Sequence, residues 1–154
     1  MRKIILPIIL IFFGTQLLAQ TTDDYIEVLR SVLKTEKKAV IAETMSFTED
    51  EAKVFWPLYN EFNEKAYVIQ SKRIEIIKDF AENYENMTDE KADELWLASM
   101  KVKQEMMKLN SKYYSKFKKI IPVGKAAKYF QAENKIAALV DFQLADQIPF
   151  IETK

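Results

Sequence analysis

Apolar residues recur every three or four positions along most of this chain, which is the spacing of one face of an α-helix. Four segments carry this rhythm. They span roughly residues 24–42, 48–84, 88–121 and 124–146. We therefore predict an all-α fold with four helices and short connections.

A ten-residue pattern occurs twice, forty positions apart, at 47–56 and 87–96. Each copy has an apolar residue, a threonine, two acidic residues, an alanine and an apolar residue followed by tryptophan. Thr48 and Thr88 suit the N-cap position, where the hydroxyl accepts a hydrogen bond from a free backbone N–H. Glu51 also completes a capping box with Thr48, whereas the lysine at the equivalent place in the second copy does not. The two copies predict two helix starts.

The second and third helices are predicted to exceed thirty residues, or roughly 45–50 Å at 1.5 Å per residue. Only residues 85–87 separate them, which predicts a long antiparallel hairpin. Pro57 lies inside the second helix, and we expect it to bend the axis there; a helix start at Pro57 itself is the alternative. Such long helices predict an elongated, thin arrangement whose apolar surface a second copy or another protein would cover.

The first nineteen residues have the features of a secretory signal peptide. Two basic residues precede an apolar run at 4–13, and Ala19 offers a small residue for cleavage. The run is too short for a convincing membrane span. We therefore expect residues 1–19 to be removed and residues 20–154 to form a single exported domain without a stable membrane anchor.

The composition narrows the possible chemistry. The chain has no cysteine and no histidine, which excludes disulfides, thiol nucleophiles, imidazole bases and Cys/His zinc sites. Without Arg2 and Lys3, the 23 basic residues fall to 21 against 23 acidic residues, so no overall field favours nucleic acid. Gly124 is the only glycine after the predicted signal peptide, which argues against a phosphate-binding loop. We predict a protein that is not an enzyme, with no cofactor, no metal and no nucleic-acid partner.

Three motifs carry a family resemblance. The helix starts at 47–51 and 87–91 are similar to the paired Leu-Thr-x-x-Gln motifs of the Spy/CpxP-like periplasmic proteins, and both differ from that motif at its first and last letters. Residues 55–60 read Phe-Trp-Pro-Leu-Tyr-Asn, which resembles a Phe-Trp-Pro-x-Tyr-Asn motif of exported Bacteroidetes proteins described as sensors of extracytoplasmic sigma factors. The Pro-x-x-Lys and Gln-x-Glu-Asn-Lys segments of those proteins have matches at Pro122, Lys125, Gln131, Glu133, Asn134 and Lys135.

The resemblance implies a curved, cradle-like and often dimeric helical protein in the periplasm. Relatives bind unfolded or aggregating proteins without ATP, or act as envelope-stress adaptors. We therefore expect a homodimer that works as a chaperone-like or stress-response protein, binding exposed apolar segments of clients. The alternative is a signalling adaptor that binds one membrane sensor or anti-sigma partner. Metal binding through histidines, known in some relatives, does not carry over to a chain without histidine.

Charge is distributed unevenly along the chain. Residues 79–94 are dominated by acidic side chains, whereas the nine lysines of residues 101–128 share their stretch with one acidic residue, Glu105. One interpretation is a basic surface that attracts acidic client segments. The other is a solvated face, because lysines are favoured near a helix C-terminus. The nine lysines are Lys101, Lys103, Lys108, Lys112, Lys116, Lys118, Lys119, Lys125 and Lys128.

Methionine and aromatic residues cluster on the third predicted helix. Methionine adapts to varied partners, which suits a promiscuous surface, but ordinary core packing is the alternative interpretation. Copper binding through the thioethers would need a tighter ligand cluster and is not predicted. The predicted client- or partner-binding residues are Met100, Met106, Met107, Tyr113, Tyr114, Phe117, Lys108, Lys112 and Lys116.

Two further sets of residues have structural interpretations. Trp56 and Trp96 are predicted to anchor the core near one end of the hairpin. The polar residues at 131–135 interrupt the apolar face of the fourth helix. They predict either a surface turn or a polar network against Tyr59 and Asn60.

Overall fold

The structure, a computed structural model, describes residues 33–152. The predicted signal peptide and the predicted start of the first helix lie outside these residues. The described residues divide between Val40 and Ile41 into two compact units. The described part of the first unit, residues 33–40, is helical. The second unit contains the core and the grooves.

Helices account for most of the described residues. They are α1, described over residues 33–45, α2 at Glu49–Asn83, α3 at Asp89–Phe117 and α4 at Val123–Gln147. A short 3-10 helix, Tyr84–Asn86, follows α2. No strand occurs between residues 33 and 152, and the all-α prediction is confirmed.

Threonines cap both long helices as predicted. The Thr48 hydroxyl accepts a hydrogen bond from the backbone N–H of Glu51 at 3.3 Å, and the Glu51 carboxylate accepts one from the Thr48 N–H at 2.9 Å. This reciprocal pair is a capping box. The Thr88 hydroxyl accepts from the Lys91 N–H at 3.2 Å, with no reciprocal bond. Each helix start is therefore specified by side chains next to it in the sequence.

Ion pairs show that α2 and α3 are antiparallel. Lys91 Nζ lies 2.7 Å from a carboxylate oxygen of Asp79, close to the connection between the helices. Lys116 Nζ lies 2.9 Å from a carboxylate oxygen of Glu61, much further along both helices. The later residue of α3 thus pairs with the earlier residue of α2, so the two helices run in opposite directions. The predicted antiparallel hairpin is confirmed.

Helix lengths differ in part from the prediction. Helix α2 has 35 residues, as expected, but α3 has 29 and ends at Phe117 rather than at Ile121. Residues 118–120 form a turn instead. Proline disfavours helical geometry in the residue before it, and Pro122 follows this turn as the N-cap residue of α4. Pro57 lies inside α2, so the alternative helix start at Pro57 is wrong; the bend there stays a prediction.

The core lies at the end of the hairpin away from the connection. Aromatic rings dominate it: the Phe117 ring lies 4.8 Å from Tyr129 and 5.1 Å from Phe55, centroid to centroid. Nearer the connection, Leu95 and Val102 of α3 are the buried residues. The core cluster comprises Ile41, Met45, Phe55, Tyr59, Phe62, Tyr113, Phe117, Ile121, Ala126 and Tyr129.

The two tryptophans do not share one environment. Trp56 is half-buried and packs edge-on against Phe55 at 5.1 Å. Trp96 is 62% exposed, so its prediction as a core anchor is wrong. The neighbouring Leu95 takes the buried position, and one residue along a helix turns the side chain by about 100°. The prediction of a single end was also wrong, because antiparallel helices begin at opposite ends of a hairpin.

The buried face of α4 is shifted from the predicted one. Ala126 and Tyr129 are its buried residues. Phe130, predicted to lie on the apolar face, is half-buried and packs against the core, while Ala137 is exposed. Because aromatic residues occupy both 129 and 130, the periodicity did not decide which ring points inward.

Candidate functional site

A groove of about 710 Å³ runs between α3 and α4. It is shallow and wide open to solvent. We call it the α3–α4 groove. Its lining residues are Met107, Asn110, Ser111, Tyr114, Ala127, Phe130, Gln131, Asn134, Lys135 and Ala138.

Helical spacing places these side chains in two facing rows. On α3, Met107, Ser111 and Tyr114 are separated by four and three residues, so they lie on one face. On α4, small and polar residues recur from Ala127 to Ala138 at the same spacing. The rings of Tyr114 and Phe130 meet edge to face at 5.7 Å, which brings an aromatic pair from the two helices to the groove.

Large apolar side chains are exposed on both helices that form the groove. Met107, which lines it, is 66% exposed. Phe142 lies four residues beyond Ala138 on the same face of α4 and is 74% exposed. Trp96 and Met100 precede Met107 by eleven and seven residues, so they continue its stripe along α3, and both are exposed. We call Trp96, Met100, Met107, Leu139 and Phe142 the exposed apolar set.

Most lysines of the basic stretch form no close ion pair within residues 33–152, although the charges of Lys101 and Lys108 act on Glu105. The exceptions have defined partners: Lys116 binds Glu61 and Lys125 binds Glu51. Lys128 donates to the backbone carbonyl of Thr44 at 2.5 Å. The lysines without an ion pair inside that range are Lys101, Lys103, Lys108, Lys112, Lys118, Lys119 and, on α4, Lys135.

The predicted contact residues separate into two groups. Met100, Met107, Lys108 and Lys112 are exposed, and Met106, Tyr114 and Lys116 are half-buried. Tyr113 and Phe117 are fully buried in the core and have no surface to offer a partner. We therefore remove these two from the predicted contact set. Residue type placed them in one set with Met100 and Met107, although Tyr113 and Phe117 lie one turn apart on the face of α3 that packs into the core.

The polar residues at 131–135 lie inside α4, so the surface-turn interpretation is wrong. Glu133 lies close enough for its charge to act on two buried phenols, Tyr59 and Tyr129, whose hydroxyl oxygens have no hydrogen-bond partner among residues 33–152. Burial, and secondly the Glu133 charge, raises the pKa of the Tyr59 and Tyr129 hydroxyls. Asn63 donates to the Tyr59 carbonyl at 2.8 Å, whereas Asn60, named in the prediction, is exposed.

Three described phenols have a raised pKa. Burial is also the main cause that raises the pKa of the Tyr113 hydroxyl, which donates to Glu61 at 2.6 Å. All three phenols therefore stay protonated and weakly nucleophilic at neutral pH. Between residues 33 and 152 no group of three acidic residues is arranged to hold a metal ion. Within the same range, no helix is both long and apolar enough to cross a lipid bilayer.

On the α4 side of the groove, Gln131, Asn134 and Lys135 were singled out for a sequence motif but not as contact residues. Ala127, Ala138 and Phe142 were not singled out, because alanines and a single phenylalanine give no chemical signal. Their spacing of eleven and four residues would place them on one face of a helix, but the sequence does not say which face is exposed.

Comparisons with known proteins add no identification. No protein-family model matches this chain, and neither the curated proteins nor the solved structures contain a match to it.

Proposed function

We propose that this protein is a periplasmic, ATP-independent chaperone-like or stress-response protein that binds exposed apolar segments of other proteins. The observation that supports this most is the exposed apolar set on α3 and α4, from 37% exposure at Met100 to 74% at Phe142. Large apolar side chains exposed on two helices that share a groove are typical of a surface that binds protein.

The chemistry of this surface suits varied clients. Two of its residues, Met100 and Met107, have flexible and polarizable side chains that adapt to different shapes. The set is spread over two helices rather than concentrated in one compact aromatic patch, and dispersed contacts favour promiscuous binding. The unpaired lysines nearby would speed the capture of acidic clients by long-range attraction. That role predicts association rates that fall as salt rises.

Location, family and assembly are further parts of the proposal. Residues 1–19 support export through a signal peptide. The two threonine-capped helix starts support membership of the Spy/CpxP-like family and, with it, a curved cradle. A homodimer would cover part of the exposed apolar surface. The molar mass in solution, compared with that of the monomer after signal cleavage, tests the dimer.

An aggregation assay tests the chaperone-like activity. An unrelated client is diluted from denaturant with an equimolar amount of the protein, and light scattering is followed. We expect the wild type to reduce scattering and Met107→Glu to reduce it much less. Val68→Glu is the matched control, because Val68 is 58% exposed on α2 and lies outside the groove lining. No suppression by the wild type would contradict the chaperone-like function.

The second candidate is a signalling adaptor for one membrane sensor. Tyr114 and Phe130 favour it, because both rings line the groove and aromatic residues concentrated in one pocket are typical of a binding hot spot. Absence of aggregation suppression, together with capture of a single envelope protein that Met107→Glu abolishes, would support the adaptor.

A further inference from the structure

The α3–α4 groove has lysines in and beside its lining. None of its described lining residues is acidic. Of the ten lining residues, Lys135 is the one with a charge. The Lys118 ammonium lies 4.9 Å from the centre of the Tyr114 ring, next to the lining. Lys103 is exposed one turn before Met107 on α3. These three lysines are among those without an ion pair in residues 33–152.

A second groove provides an internal contrast. It has a volume of about 450 Å³ and lies between α2 and α3. Its lining includes both Glu61 and Lys116, which pair at 2.9 Å. Charge there is partly balanced inside the protein, whereas the lysines at the α3–α4 groove lack such partners.

The backbone around the α3–α4 groove restricts what form of chain fits it. The amides and carbonyls of α3 and α4 are bonded within their own helices, so an extended peptide would find few backbone partners. A helix satisfies its own backbone and lays an apolar face into a groove between helices. The lining of α4 spans residues 127–138, which is roughly 16 Å, or about three turns, at 1.5 Å per residue.

We infer that the α3–α4 groove binds an acidic amphipathic helix of another protein. The apolar face of that helix contacts Met107, Tyr114 and Phe130, and its carboxylates pair with Lys118 and Lys135. A second copy presenting the same surface would instead bring these lysines close to each other, which is unfavourable. The inference rests on the proposed function, because it names the partner chemistry of the same surface.

Two designed peptides test the charge preference on the intact protein. Both have 18 residues with leucines at one helical face; the first has glutamates on the other face and the second has lysines. Fluorescence anisotropy of the labelled peptides gives each Kd. We expect the acidic peptide to bind at least about tenfold more tightly at low salt, with the difference shrinking at high salt. Equal affinities for the two peptides would overturn the inference.

Charge-reversal variants locate the binding. Lys118→Glu/Lys135→Glu should raise the Kd of the acidic peptide about tenfold, since each exposed ion pair contributes modestly and reversal adds repulsion. Lys53→Glu/Lys65→Glu on α2 makes the same change in net charge and should leave the Kd within about twofold. An equal effect of both variants, or no effect of the first, would overturn the inference. Circular dichroism on each variant checks that the helices are intact.

The same experiments separate this inference from the proposed function. Aggregation suppression without a peptide charge preference would leave the chaperone-like function in place and overturn the acidic helix. Preferential binding of the acidic peptide without aggregation suppression would leave the acidic helix in place and overturn the chaperone-like function. A dimer that Met107→Glu dissociates, with no binding of the acidic peptide, would assign the groove to a second copy and overturn the inference.

Discussion

Phe117 and Phe142 are the same kind of residue in opposite environments. Phe117 is fully buried among Phe55, Tyr129 and other rings, whereas Phe142 is 74% exposed. A buried aromatic side chain stabilises the fold because its apolar area is removed from water, whereas an exposed one contributes little to stability. The contrast separates the residues that hold the fold from those available to a partner.

Replacing each phenylalanine by alanine should have very different effects. We expect Phe117→Ala to lower the free energy of unfolding by about 3–5 kcal/mol, through lost burial and the cavity left behind. Phe142→Ala should change it by less than about 0.5 kcal/mol. Urea denaturation followed by circular dichroism measures both. A large loss of stability in Phe142→Ala would contradict its placement at the surface.

Glu51 links local helix capping to the packing of α4. The Lys125 ammonium, which donates a hydrogen bond to the Glu51 carboxylate, is the main reason that the pKa of Glu51 is lowered. The backbone N–H of Thr48 is the next cause. One carboxylate therefore completes the start of α2 and contacts the start of α4.

The lowered pKa of Glu51 predicts a loss of stability in acid. The folded state holds this pKa below its ordinary value of 4.5, so the unfolded state binds the proton more readily. The stabilisation is fully present above that ordinary value and is lost as the pH falls through the folded pKa. Urea midpoints measured between pH 7 and pH 3 should fall for the wild type, and less for Glu51→Gln. Parallel curves for the two proteins would contradict this role.

At the scale of elements, the two helix starts show what sequence alone predicts. A cap depends on residues three positions apart, so Thr48 and Thr88 identified both starts without knowledge of the fold. The end of α3 depends on how the chain turns towards Pro122, and there the prediction was four residues too long. The sequence therefore predicted helix starts that depend on neighbouring residues, but not a helix end that depends on tertiary packing.

The two caps should differ in their contribution to stability. Thr48→Ala removes a hydroxyl from a reciprocal pair, whereas Thr88→Ala removes a single bond. We expect Thr88→Ala to cost about 1 kcal/mol and Thr48→Ala to cost up to about 2 kcal/mol. Thermal unfolding measures both, with Thr→Ser at each position as the control that keeps the hydroxyl. A larger loss of stability in Thr88→Ala than in Thr48→Ala would contradict this expectation.

At the scale of the whole molecule, the sequence predicted that apolar surface would stay exposed but not where. Met100 and Met107 were grouped with Tyr113 and Phe117 because methionine and aromatic residues cluster on α3. Packing of α4 buried Tyr129 and left Phe142 outside. Assigning core and surface requires knowing which helices meet, and that information is not local in the sequence.

Site-specific photo-crosslinking tests the central claim that the surface of α3 and α4 binds unfolded clients. A benzophenone amino acid is placed at position 107 or, as the control, at position 68 on α2, and each protein is irradiated with an unfolded client. We expect strong crosslinks from position 107 and few from position 68, although both side chains are exposed. Equal crosslinking at the two positions, or crosslinking from position 68 alone, would contradict the account.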